Sequence, residues 1–369
     1  MKRADAPDRR CALTADPAAT WSQRLQRGWL TRGAVACTLL PLALLFGALT
    51  ALRRGLYRAG LLKTNTLAVP VIVVGNLIAG GAGKTPTVIA VVAILRRHGF
   101  TPGIVSRGYG GSHTGTLDVT RKLRAAQCGD EPLLMHLRTG APLVVGRDRV
   151  AAARQLLQSH PRVDVIVSDD GLQHLALARA AQVIVFDERG AGNGWLLPAG
   201  PLRQALPAAP PPRSLIVYNA VAPSTPLPGT LAQRSLAGVV PLRDWWAGAG
   251  ASISALEALR ARPLVAAAGV ARPQRFFDML RGHGLTITPL PLVDHHDYAT
   301  LPWPAKTADV VVTEKDAIKL DPDPARVGAG AGVTNVWVAP LDFGLDAAFE
   351  AALIALLAPI GPRHGNTPA

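Results

Sequence analysis

Acidic residues, aromatic rings and cysteines are all scarce in this chain of 369 residues, and each shortage closes off a class of protein. Cysteine occurs three times, at Cys11, Cys37 and Cys128. So sparse and odd a set builds neither a disulfide framework nor a paired-cysteine zinc site, and it fits a reducing compartment. Phe and Tyr number only 7 and 4. The basic residues are not gathered into one long run, so the aromatic-studded basic surface of a nucleic-acid binder is missing and no nucleic-acid partner is expected. No low-complexity tract or internal repeat appears, which excludes a largely disordered chain. Asp and Glu total 25 against 39 Lys and Arg, a net charge of +14. With nucleic acid set aside, a surface this basic suits anionic membranes or phosphorylated substrates. Apolar residues make up 49% of the chain, enough for sizeable cores, and the length suits two domains with an appendage. Nothing in the sequence calls for a protein partner.

One long stretch lacks charge altogether. Ala34 to Leu52 contains no Asp, Glu, Lys or Arg. At ~1.5 Å rise per residue it just reaches across a bilayer core of ~30 Å. Lys2, Arg3, Arg9, Arg10, Arg24, Arg27 and Arg32 precede it, and Arg53, Arg54, Arg58 and Lys63 follow. Arg53-Arg54 stands where a cleaved signal peptide needs small residues, so no cleaved leader is expected. Positive charge on both flanks fixes no orientation. Residues 1–63 are expected to be a membrane anchor: a single span, or a helix lodged in one leaflet with both ends on the cytoplasmic side. In either case its basic flanks meet an anionic membrane surface.

Beyond it the pattern alternates. Val69 to Gly75 (VPVIVVG) is a short β-branched run closed by glycine, which predicts a buried parallel strand. Pro86 to His98 carries Val88, Ile89, Val92 and Leu95 at helical spacing. Further strands are expected at Gly103–Val105, Leu143–Val145, Val163–Ser168, Val183–Phe186 and Leu215–Tyr218, with a helix over Asp148–Ser159. Such alternation builds a parallel sheet with helices on both faces. Pro and Gly crowd residues 207–212 and 222–229, as linker edges do. A second set follows, with strands at Leu264–Ala268, Leu285–Thr288, Val310–Thr313 and Val336–Val338 and a helix over Pro273–Gly282. The expected fold class is α/β: a P-loop NTPase-like parallel sheet over residues 64–222, a second, smaller α/β domain over 223–362, a frayed tail over 363–369 and an N-terminal membrane helix.

Gly80-Gly81-Ala82-Gly83-Lys84-Thr85 joins the first strand to the first helix. Glycines let backbone N–H groups face phosphates, the lysine neutralises β/γ oxygens, and the threonine hydroxyl suits Mg²⁺. The strict Walker A pattern needs glycine where this chain has Ile78, so the loop is a variant. The string VDVIVSDD ends a predicted strand in Asp169 and Asp170, the Walker B arrangement, with carboxylates placed to hold Mg²⁺. ATP and Mg²⁺ are therefore expected.

More strings accompany these: Ser106-Arg107-Gly108-Tyr109-Gly110, Gly129-Asp130-Glu131-Pro132 and Asp169-Asp170-Gly171-Leu172-Gln173-His174. Later come Leu197-Pro198-Ala199-Gly200-Pro201-Leu202-Arg203, Arg275-Phe276-Phe277, Asp294-His295-His296 and Thr313-Glu314-Lys315-Asp316. Together and in this order they closely resemble the tetraacyldisaccharide 4′-kinases of lipid A biosynthesis, from the apolar N-terminal helix to about residue 320. The resemblance implies transfer of the γ-phosphate of ATP to the 4′-hydroxyl of a tetraacylated glucosamine disaccharide 1-phosphate, giving lipid IVA. It implies a lipid substrate and a place at the cytoplasmic face of the inner membrane. Lys84 and the loop amides would cradle phosphate, and Thr85, Asp169 and Asp170 would hold Mg²⁺. By the resemblance, Asp130 is the base for the sugar hydroxyl and pairs with His295. Arg107, Arg149 and Arg203 are candidate phosphate clamps. Gln204 departs from the family, which normally has glutamate there, and would weaken the metal site if that glutamate binds Mg²⁺.

A non-catalytic partitioning ATPase is the rival class, but such proteins usually carry a lysine just before the glycines, where this chain has Ala79. A kinase for another lipid acceptor is the second rival.

Overall fold

The computed structural model describes residues 28–322 and 334–358. Cys11, the basic residues before Gly28 and the tail lie outside the described residues.

The larger sheet has eight strands: β1 (Val71–Gly75), β2 (Pro102–Ser106), β3 (Thr116–Asp118), β4 (Leu143–Gly146), β5 (Val165–Asp169), β6 (Ala181–Asp187), β7 (Ser214–Asn219) and β8 (Thr230–Leu231). Their order is β3-β4-β2-β5-β1-β6-β7-β8, and every pair is parallel except the edge pair β3–β4. β1 and β5 are buried at every residue, as β-branched runs covered on both faces must be. Successive side chains of a strand face opposite ways. Thus Ile72 and Val74 join the core under helices Lys84–Arg97 and Asp130–Thr139, while Val71 and Val73 join the one under helix Arg149–Ser159. Asp148 starts that last helix by accepting bonds from the amides of Val150 and Ala151.

The smaller sheet contains β10 (Val240–Pro241), β11 (Leu264–Ala268), β12 (Ile287–Pro291), β13 (Asp309–Thr313) and β14 (Asn335–Ala339), in the order β10-β14-β13-β11-β12. β9 (Gln233–Leu236) and β15 (Leu341–Gly344) form a separate antiparallel pair. The strand expected from Leu285 starts at Ile287, because Leu285 still packs in the core below the turn at Gly284.

Two expectations need correction. The C-terminal helix Ala347–Leu357 does not complete the second domain. Phe349, Leu353 and Leu357 pack into the core of the first, and the Arg213 guanidinium reaches back to the carbonyl of Leu356. The helix lies against β6 and β7. The membrane-spanning helix is also not found: among the described residues, no helix is long and apolar enough to cross a membrane. The uncharged run is broken into helices Ala34–Thr38 and Leu40–Arg58, and the second takes in Arg53, Arg54 and Arg58.

Helix Leu40–Arg58 turns one side to the protein. Ala43 is buried, Gly47 lies against Leu196, and Arg53 and Arg54 bond to the carbonyl of Gln173 and the side chain of Gln204. Its leucines point out: Leu42, Leu44, Leu45, Leu49 and Leu52 are all exposed.

Candidate active site

The C-terminal ends of the parallel strands converge on one edge, where ligands bind in open α/β sheets. β1 ends at Gly75 and opens into the loop that precedes helix Lys84–Arg97. Gly80 and Gly83 take φ values of 92° and 93°, a region that a side chain disfavours. A Cβ on Gly83 would also strike the Asn219 side chain. Asn219, at the end of β7, donates to the carbonyl of Ala82 at 3.1 Å, and Asn76 donates to that of Gly80 at 3.0 Å. Arg189 bonds to the carbonyls of Ala79 and Gly81 at 3.2 and 3.1 Å. With its carbonyls held from outside, the loop is a built phosphate cradle.

The two Walker B carboxylates have separate partners. Asp170, at φ 48°, lies 3.5 Å from Lys84 Nζ and 2.9 Å from Arg203. Burial pushes its carboxyl up, but Lys84 and Arg203 outweigh this and hold it below the usual range. Asp169 is buried; one oxygen accepts from Ser106 Oγ at 2.8 Å and the other, Oδ1, has no hydrogen-bond partner. Burial, then the charge of Glu131, raises its carboxyl to about 6. The structure therefore favours Asp169 over Asp170 as the Mg²⁺ ligand, since Asp170 is already engaged by two cations. An orphaned carboxylate oxygen, with the Thr85 hydroxyl on the adjoining loop, is a hard-oxygen donor set that fits Mg²⁺. Among the described residues no three His, Cys, Asp or Glu side chains form a complete cage.

Of the three arginines, Arg107 is exposed, with its guanidinium open to an anion. Arg203 is the partner of Asp170. Arg149 is buried and donates to the carbonyls of Gly146 and Asp169 at 2.9 and 3.3 Å, tying two strand ends together. Gln204 faces Arg54 of the N-terminal helix. Gln173 donates to the carbonyl of Asn76 at 3.2 Å, at the entrance to the phosphate loop.

Across the cleft, His295 Nδ1 meets Asp130 Oδ2 at 3.0 Å. Asp130 opens helix Asp130–Thr139, and His295 sits at φ 63° in the second lobe. Three residues of this region were not picked out from the sequence. Lys319 Nζ lies 3.2 Å from Asp130. Lys315 Nζ lies 2.5 Å from Glu131. Burial raises the Glu131 carboxyl, but Lys315, then Lys84 and Thr85, bring it down to about 2. The strings Gly-Asp-Glu-Pro and Thr-Glu-Lys-Asp were visible, but only the fold shows that they meet.

Two cavities flank this meeting point. One, of about 500 Å³, runs between the lobes from Gly81–Thr85 past Glu131 and Lys315 to apolar Phe276 and Met279. The other, of about 660 Å³, is reached by Asp130, His295 and Lys319 and walled by Tyr109, Trp246 and the basic run Arg121, Lys122 and Arg124. They share no lining residue.

The family model for tetraacyldisaccharide-1-P 4′-kinase matches residues 35–358. The chain belongs to this family. A tetraacyldisaccharide 4′-kinase from Methylibium petroleiphilum is 56% identical over 341 residues, covering 92% of this chain and 95% of the relative. Another from Leptothrix cholodnii is 56% identical over 335 residues, covering 90% and 95%. Among solved structures, LpxK from Aquifex aeolicus, crystallised with ATP, superposes with a TM-score of 0.71 at 26% identity. That match covers 87% of this chain and 99% of the other. The stretch shared with the family takes in the phosphate loop, the Asp130–His295 pair and both lysines that face it.

Proposed function

We propose that this chain transfers the γ-phosphate of ATP to the 4′-hydroxyl of a tetraacylated glucosamine disaccharide 1-phosphate, forming lipid IVA. The observation that carries the reading is the Asp130–His295 contact of 3.0 Å, made across the lobes beside a built phosphate loop. ATP enters the cavity that begins at Gly81–Thr85, with its phosphates on the loop amides and Lys84. Lys84 then exchanges Asp170 for the β/γ oxygens, and Arg203 keeps Asp170 ionised behind it. Thr85 and Asp169 would hold Mg²⁺, which when bound neutralises charge on the β- and γ-phosphate oxygens. Asp130 accepts the proton of the 4′-hydroxyl, and His295 orients the carboxylate through Nδ1.

Membrane attachment is part of the same proposal. Helix Leu40–Arg58 shows Leu42, Leu44, Leu45, Leu49 and Leu52 to the outside and turns Ala43 and Gly47 to the protein, which suits a helix lying in one leaflet better than a span. The anionic surface of the inner membrane, on its cytoplasmic face, is where lipid acceptor and basic protein meet.

The test is Asp130→Asn, which keeps the shape of the helix start. Transfer of label from ATP to the lipid acceptor should fall by ~10²–10⁴-fold in kcat with the KM for ATP unchanged. Wild-type turnover in a folded Asp130→Asn protein would remove Asp130 as the base. Failure of the wild-type chain to label this lipid, with another lipid labelled instead, would replace the acceptor.

A further inference from the structure

The turn Thr313–Leu320 of the second lobe is locked from within. Thr313 Oγ1 and Asp316 cap one another, with Oγ1 2.6 Å from the carboxylate and 3.3 Å from the Asp316 amide, and Asp316 also accepts from the amide of Gly269 at 2.9 Å. Glu314 accepts from Trp245 Nε1 at 3.2 Å, from the amide of Leu341 at 3.3 Å and from Arg138. Residues four apart on a helical turn share a face. Lys315 and Lys319 are four apart, and both leave the locked turn toward the first lobe. There they meet consecutive acids. Lys315 pairs with Glu131 at 2.5 Å and Lys319 with Asp130 at 3.2 Å.

Neighbouring residues at a helix start point in different directions, and these two point into different cavities. Glu131 and Lys315 line the one that begins at the phosphate loop. Asp130 and Lys319 line the other, with His295. Simple glue between lobes does not need these lysines: Arg138–Glu314, Arg272–Asp187 and Arg275–Glu188 already join them. Lys319 is nonetheless almost fully withdrawn from water, with 8% of its side chain exposed. A lysine is so withdrawn only when its charge has a fixed partner.

We propose that Lys315 and Lys319 are positioning residues that set two sites from one rigid turn: Lys319 holds Asp130 for the acceptor hydroxyl, and Lys315 holds Glu131 in the wall of the cavity that begins at the phosphate loop, for the nucleotide. The inference rests on the reading of Asp130 as base and of the phosphate loop as donor site. The bridge makes lobe docking a condition of both sites being formed, since one helical turn supplies both contacts.

The experiment compares full-length Lys319→Met and Lys315→Met, each beside its arginine variant, with labelled ATP and the tetraacylated acceptor in mixed micelles. Methionine keeps length and removes charge. Lys319→Met should lower kcat on the order of ten- to a hundredfold with the KM for ATP unchanged, and Lys319→Arg should recover most of it. Combined with Asp130→Asn, Lys319→Met should cost almost nothing more, because two residues acting as one unit are not additive. Lys315→Met should instead raise the KM for ATP on the order of tenfold, and Lys315→Arg should restore it. Lys319→Gln carries the same expectation should Lys319→Met not fold. Equal losses of kcat and ATP affinity in both methionine variants would overturn the division of labour and leave a plain interlobe contact. Wild-type kinetics in Lys319→Met would also overturn it. A wild-type chain that transfers no phosphate to any lipid would instead defeat the function on which the bridge rests.

Discussion

Asp130 and His295 ionise as a pair. Burial raises the Asp130 carboxyl, but its bond to His295 and the charge of Lys319 prevail and hold it below the ordinary value. The imidazole is raised first by that same bond; burial opposes the rise and Asp294 adds to it. A raised imidazole contributes its share of the contact below about pH 6.5 and loses it as pH climbs through the folded-state value. A lowered carboxyl contributes above about pH 3.9 and loses its share as pH falls through the folded-state value. The pair is thus complete from mildly acid to near-neutral pH. In a histidine-resolved NMR titration, His295 should have its midpoint above about 6.5, and in Asp130→Asn the midpoint should move back down. Gln204 calls for a different expectation from the one the family pattern suggests. Because it faces Arg54 rather than the phosphate loop, Gln204→Glu should leave the Mg²⁺ dependence of the rate unchanged. A lower Mg²⁺ requirement in that variant would place the side chain in the metal site after all. Lys84 stands out in its glycine-rich loop, whereas Asp130 and His295 stand out only through the resemblance to the family, and the structure brings those two to 3.0 Å. The burial of Arg149 and its bonds to two carbonyls come from the fold, because nothing local distinguishes such an arginine from an exposed one. Lys315 and Lys319 gained their meaning only when the second lobe met the first.

The elements divide the same way. β1, β5 and β11 were readable because covered parallel strands are unbroken apolar runs. β8 and β9 are short and partly exposed, so no apolar pattern marks them. Helix Ala347–Leu357 was not singled out in the sequence, and its packing against β6 and β7 comes only from the fold, because a range of residues does not show which face will receive a helix. The uncharged N-terminal run was taken as long enough to span a bilayer, yet Pro41 near the start of the second helix and the inclusion of Arg53 and Arg54 break the expectation. What survives is an outward apolar face. Replacing Leu44, Leu45, Leu49 and Leu52 by serine should preserve the melting temperature, because these side chains are exposed. It should release the protein from vesicles of phosphatidylethanolamine and phosphatidylglycerol. Undiminished co-sedimentation would assign the attachment to another surface.

At the scale of the molecule, the two lobes share one apolar cluster, from Val183 and Val217 through Val310 and Val312 to Leu353. Ion pairs between Arg272 and Asp187 and between Arg138 and Glu314 add to it. Asp187 also holds Arg189, which holds the phosphate loop, so the second lobe touches the loop through one intermediary. Among the described residues, the two cavities have no wall residue in common, and they come together at the adjacent acids Asp130 and Glu131 and the turn that carries Lys315 and Lys319. The consequence is one of kinetic order. With nucleotide and lipid in separate cavities, as proposed, the expected kinetics are those of random binding and direct transfer in a ternary complex. Double-reciprocal plots at several fixed acceptor concentrations should intersect rather than run parallel. Label should not exchange between ADP and ATP when the lipid is left out, because no phosphorylated enzyme stands between donor and acceptor.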